Sequence, residues 1–180
     1  DTQTPQGILA LAKQYHYGLK DLLSQSGAAH FIVLERLQDP GNLGTILRAG
    51  EAAGITGVIM DSQTADIYNP KVIRSTMGAV FRVPFVYVED LKAALSQLKD
   101  HGVHLYAAHL KGQNSYDQED YTESTGFLIG NEAQGLSDEI ASLADTYVKI
   151  PMAGSVESLN AAIASSVLMF EVARQRRNQK

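Results

Sequence analysis

At 180 residues the chain has room for one ordinary domain with a short appendage, not for two. A 44% apolar share with 19% charged residues excludes a disordered or fibrous chain, and apolar runs as short as Phe31–Leu34 exclude a membrane span. The absence of cysteine removes disulfides, thiolate metal sites and thiol nucleophiles, and a net charge of -5 has the wrong sign for gripping nucleic acid by bulk electrostatics. The opening Asp1–Gly7 carries neither an initiator Met nor a secretory signal, so a processed or truncated cytoplasmic polypeptide is expected.

Ile8, Leu11, Ala12, Tyr15, Leu19 and Leu22 recur at helical spacing, interrupted by Gly18, and predict a leader helix from Ile8 to Ser24. The run His30–Leu34, closed by the turn residues Asp39–Asn42, reads as a fully buried strand. A helix follows from Leu43 to about Ala53, with Asn42 as its N-cap and Gly54 as its stop. The alternation continues: strand Gly57–Met60, a short helix after Pro70, strand Val83–Val88, helix Asp90–Asp100 and strand His104–Ala108. Beyond the polar stretch Lys111–Ser124 come strand Phe127–Ile129, a helix from Ser137, strand Tyr147–Ile150 and a last helix from about Ser158. Strands separated by helices imply crossovers, hence a parallel α/β sheet. Residues 27–180 then form the domain and residues 1–26 a leader. On the last helix Leu159, Ile163, Val167 and Phe170 share a stripe that could pack on the sheet or against a second copy. Its cationic tail, Arg174–Arg177, is accounted for by the negative end of the helix dipole.

Signatures of dinucleotide dehydrogenases, P-loop NTPases, zinc proteases and α/β-hydrolases are missing. No carboxylate accompanies His101, His104 and His109 at a ligand-like interval, so no metal is expected. What remains are three Gly-, Asn- and Ser-rich segments at strand ends, where ligands bind in open α/β sheets. In the first, Asp39–Gly50, Asn42 could merely cap a helix and Arg48 could pair with Glu51. In the second, Gly130–Gly135, the glycines permit either a close ligand or a tight turn, and Glu132 could be an ordinary loop carboxylate. In the third, Ile150–Asn160, Ser158 could serve as a cap.

In this order and at these intervals the trio resembles the three motifs of the SpoU, or TrmH, family of RNA ribose 2'-O-methyltransferases in the SPOUT superfamily. The matching stretches are Asn42–Arg48, Ile129–Gly135, and Ile150-Pro-Met152 through Ser158-Leu-Asn160, and the resemblance covers about Phe31 to Arg174. Thr4–Ile8 is similar to the junction after a small L30e-like RNA-binding domain, which makes residues 1–26 the remnant of a linker and residues 27–180 a catalytic domain.

The resemblance implies a parallel α/β sheet with a C-terminal deep trefoil knot, an exception to the no-knot rule. It also implies a homodimer with its active site near the subunit interface, and S-adenosyl-L-methionine as cofactor. Gly130, Ile150 and Leu159 would contact the cofactor, with Gly135 and Met152 beside them and the loop after Ala108 closing the adenine pocket. The implied catalytic group is Arg48, Asn42, Glu132, Ser158 and Asn160. A guanidinium stays protonated in proteins, so Arg48 is expected to hold RNA phosphate and developing alkoxide charge, while the proton leaves through phosphate, Glu132 or water. Asn42 would position the ribose or Arg48, and Ser158 and Asn160 would orient Glu132. The expected substrate is ribosomal RNA ahead of tRNA. A non-catalytic RNA-binding module and a base methyltransferase are the competing readings.

Overall fold

The computed structural model describes Gly7 and residues 10–179. Seven strands form one wholly parallel sheet: β1 (His30–Leu34), β2 (Gly57–Asp61), β3 (Phe85–Val88), β4 (His104–Ala108), β5 (Asn114–Ser115), β6 (Thr125–Ile129) and β7 (Thr146–Lys149). Their order across the sheet is β3-β2-β1-β6-β4-β7-β5. The chain therefore winds outward from β1 through β2 to β3 and returns on the other side, leaving a switch point between β1 and β6 where a crevice opens at the carboxyl ends. Both β1 and β6 are buried along their whole length. Ile32 and Leu34 join one core layer and Phe31 and Val33 the other, as the two-residue period of a strand requires.

The helices are α1 (Leu19–Leu23), α2 (Pro40–Ala53), α3 (Pro70–Thr76), α4 (Leu91–Asp100), α5 (Asp138–Ala141) and α6 (Ala161–Arg177). The layer holding Ile32 and Leu34 packs under α2, α3 and α6; that holding Phe31 and Val33 packs under α1, α4 and α5. Gly44 lets α2 and α3 touch, since a Cβ there would lie 1.8 Å from Ser75 Oγ.

Four expectations need correction. The leader helix is only Leu19–Leu23: Gly18 restarts the chain, its N–H held by the Asp21 carboxylate at 2.7 Å. Ile8 and Leu9 lie outside the described residues, Leu11 is fully exposed, and residues 10–17 run as a strap. Along it, the Tyr15 N–H donates to the Tyr68 hydroxyl at 2.8 Å and Tyr17 packs edge-on against Phe85. Second, α2 starts at Pro40 and its cap is Asp39, whose Oδ1 accepts from the Asn42 N–H at 2.8 Å. Aspartate before proline is itself a start signal, because proline at the first helical position has no amide to satisfy. Third, α6 is capped by Asn160, which accepts from Ala162 and Ile163, so Ser158 stays in the preceding loop. Fourth, the polar stretch 111–124 contains the short edge strand β5, which two residues of such composition do not announce.

Candidate active site

The three segments converge on the carboxyl edge beside the switch point. Segment one opens α2 directly after β1, segment two follows β6, and segment three links β7 to α6. A cavity of about 590 Å³ lies between segments two and three, in the size range of small-molecule sites. Ala108, Gly130, Gly135, Ile150, Met152 and Leu159 all line it, as do Glu132, Ser158 and Asn160. Glu157, Ala164 and Leu168 also face it, and sequence reasoning missed them. Only their helical and loop neighbours, already singled out, could have pointed to them.

A run of hydrogen bonds joins the three segments. Asn160 Nδ2 donates to Asn42 Oδ1 at 2.9 Å, and Asn42 Nδ2 donates to Glu132 Oε1 at 3.0 Å. Glu132 also accepts from the Asp39 N–H at 3.0 Å and the Gln38 N–H at 3.3 Å. Partial burial pushes its carboxyl up, yet the bonds from Asn42, Asp39 and Gln38 outweigh this and hold it below the usual carboxylate range. Each amide orientation is fixed by its neighbours, since Asn160 Oδ1 is already spent on α6.

The glycine question in segment two resolves toward the turn. The Asn131 and Gly135 main chains exchange bonds at 3.1 and 2.8 Å, and a Cβ on Gly130 would lie 2.0 Å from the Gly135 carbonyl carbon. Gly130 therefore lets the loop close on itself, and the closed loop presents its backbone to the cavity.

Arg48 stands apart. It is exposed on α2 and does not line the cavity, and among the described residues it has no ion-pair partner. Its expected partner Glu51 is held instead by both Nε and Nη2 of Arg82. Among the described residues no group of three or more His, Asp and Glu is placed to hold a metal. No helix there is long and apolar enough to cross a membrane.

The fold and cavity define a parallel α/β domain with a site of small-ligand size at the carboxyl edge of its sheet, between segments two and three. The profile of the SpoU rRNA Methylase family matches residues 29–170, and the chain belongs to that family. It is 35% identical over 176 residues to a Staphylococcus aureus protein assigned to the TrmH family of tRNA/rRNA methyltransferases, covering 95% of this chain and 71% of that one. The SpoU methyltransferase AviRb from Streptomyces viridochromogenes superposes with a TM-score of 0.83 at 34% identity, covering 89% of this chain and 65% of that chain. An AdoMet-bound rRNA methyltransferase from Sinorhizobium meliloti gives 0.84 at 37% identity, covering 90% and 62%. The chain thus spans somewhat under two thirds of these solved relatives.

The cofactor of the family is S-adenosylmethionine, and the cavity fits it. Ile150, Met152, Leu159 and Leu168 offer apolar walls for an adenine, the closed loop at Gly130–Gly135 offers main-chain donors and acceptors, and Glu132 and Glu157 offer negative charge to the cationic end.

Proposed function

We propose that this chain methylates a ribose 2'-hydroxyl in structured RNA, with ribosomal RNA ahead of tRNA, as a cytoplasmic homodimer. The observation that carries this reading is the hydrogen-bonded run Glu132–Asn42–Asn160, which ties the three motif segments together at the rim of the cofactor cavity. Residues 27–180 serve as the catalytic domain, with α1 of the preceding segment packed against it through Leu22. The C-terminal deep trefoil knot that the family resemblance implies is part of this reading.

When bound, S-adenosylmethionine supplies a methyl group on a cationic sulfur. The residues of the chain have to orient the ribose oxygen, stabilise its developing charge and shed its proton. Glu132 stays ionised at neutral pH and is spent on three donors, which makes it a strut and an attraction for positive charge and leaves it a weak base. The proton accordingly leaves to an RNA phosphate or to water. Asn42 is held at both ends of its amide and positions segment one against segment three. Ser158 lies at the cavity wall with its hydroxyl available to the ribose. Arg48, exposed on α2 and without an ion-pair partner among the described residues, is the donor for RNA phosphate and alkoxide charge.

The exposed stripe of α6 supports the dimer. Ile163 and Phe170, one above the other on α6, are each 50% exposed, and α6 packs beside α2. A second copy covering this stripe brings the Arg48 face of α2 close to the interface.

The test is to incubate the chain with methyl-labelled S-adenosylmethionine and unmodified ribosomal and transfer RNA transcripts, then digest to nucleosides for mass spectrometry. A methyl on ribose is the expected result. A methyl on a base, or none despite cofactor binding, overturns the reading. Leu159→Trp, which fills the cavity from an apolar wall, is the control for cofactor binding; Gly130→Arg would instead break the loop.

A further inference from the structure

Beside the cofactor cavity lies a second one of about 380 Å³, lined by Arg36, His109, Lys111, Gln134, Gly135, Leu136, Ser137 and Asp138. The two share His109 and Gln134–Leu136, so the second continues the first past the segment-two loop. Arg36 is built unlike the chain's other paired arginines. Arg82 and Arg174 each grip a glutamate with both Nε and Nη2. Arg36 reaches Glu35 through Nη2 alone at 3.2 Å, longer than the ~2.7–2.9 Å of a good charge-assisted bond, and its Nε is buried without a partner. Glu35 does not depend on that contact, since Ser137 satisfies it through its N–H at 2.8 Å and its hydroxyl at 2.7 Å.

The backbone of Arg36 is pinned in a costly conformation, at φ 53°, by its N–H donating to both Asp61 oxygens and its carbonyl accepting from Asn131 Nδ2 at 2.9 Å. Strain of this kind, over-determined by its surroundings and beside a ligand cavity, marks a functional position. The neighbouring Lys111 and His109 side chains are only weakly engaged. Lys111 stands 3.6 Å from Asp138 with both side chains mostly in water, a weak pair. His109 lies tilted against Tyr147 with ring centroids 5.5 Å apart, and its Nδ1 accepts from the Lys111 N–H at 3.0 Å, so Nε2 carries the hydrogen and is the donor that remains.

We infer that this second cavity is a subsite for a backbone phosphate of the RNA strand, held by the part of the Arg36 guanidinium that its single contact with Glu35 leaves free and flanked by Lys111 and His109. The inference rests on the RNA reading above. It also answers the net charge of -5: grip on a polyanion comes from local donors left unpaired.

The experiment measures binding of the full chain to a mixture of unmodified ribosomal and transfer RNA transcripts across a salt series, with S-adenosylmethionine binding measured in parallel. Arg36→Gly keeps the strained backbone comfortable and its main-chain bonds intact; Lys111→Ala changes an exposed loop. Arg36→Gly should weaken RNA binding about tenfold, Lys111→Ala several-fold, and each should lower the salt slope by about 0.7–1, with cofactor affinity unchanged. RNA affinity and slope unchanged in both variants overturns the subsite, and loss of cofactor affinity alone reassigns the cavity to the cofactor carboxylate and overturns it too. Wild-type chain that binds cofactor but no RNA overturns the RNA reading itself, and the subsite with it.

Discussion

At the amino edge of the sheet, Arg176 donates to the carbonyls of Ala28, Ala29, Tyr121 and Glu123 at 2.7–3.1 Å, drawing the end of α6 onto the turns that feed β1 and β6. Among the described residues Arg48, midway along α2, has no ion-pair partner, and Arg36, beside the second cavity at the carboxyl edge, meets Glu35 through Nη2 alone. The residue type is the same and the use is opposite. Where donors are spent on the chain's own backbone, an arginine holds the fold; where they are left over at the surface, it is available to a ligand. The sequence tail Arg174–Arg177 is thus more than a complement to the helix dipole, because Arg176 stitches segments far apart in the chain.

Substitutions at the two edges should separate activity from stability. The largest effect is expected at Arg48: Arg48→Ala should lower methyl transfer by about 10²–10³-fold, the cost of losing one donor to developing negative charge, with the melting temperature unchanged. Arg48→Lys should recover little, because a lysine lacks the planar two-pronged donor; near-normal turnover in that variant would break the assignment. Next is Glu132→Gln, which replaces one acceptor oxygen of the strut with a donor, so that at least one of the Gln38, Asp39 and Asn42 donors loses its acceptor. Turnover should fall by about 10–100-fold through misplacement of segment one. The native carboxyl is held below its ordinary value near 4.5, so its contribution to stability is complete above that pH and lost as pH falls through the lowered native value. The acid limb of wild-type stability should therefore be shallower in the Gln variant when followed by thermal melts.

How much of this was open to sequence reading follows the same divide. β1 was legible because His30–Leu34 is an unbroken apolar run, and the stop of α2 because Gly54 takes the left-handed conformation at φ 74°. The cavity residues were legible because three motifs with fixed spacing named them together. The long leader helix was misread: a 3.6-residue period at Ile8–Leu19 says nothing about whether a surface exists to receive it, and Leu11 finds none. Likewise Asn42 and Ser158 are plausible caps by residue type, and only three-dimensional hydrogen bonding shows Asp39 and Asn160 taking those places. Arg36 was invisible, since neither its strained backbone nor its unpaired Nε has a sequence signal.

At the amino edge, Arg176→Ala leaves up to four carbonyls without their donor and should cost about 2–3 kcal/mol, lowering the melting temperature by roughly 4–12 °C while turnover per folded molecule stays at the wild-type level. A matched loss of turnover in soluble, folded variant would mean that the two edges are coupled.

The smallest effect is expected at His30, buried at the start of β1 against Phe127 with Nε2 unpaired. Burial first, and then the nearby Arg176 charge, pushes its pKa from 6.5 down to about 3. The folded state therefore keeps the ring neutral while the unfolded chain takes up a proton below about pH 6.5, so stability rises with pH through the window from about 3 to 6.5. Between pH 7 and pH 5, wild type should lose more stability than His30→Gln, a difference of about 1–2 kcal/mol by the linkage relation. Denaturant titrations at the two pH values measure it directly. Equal losses would show that the histidine is solvated or paired in the native state, and that the amino edge is less completely sealed than its buried residues imply.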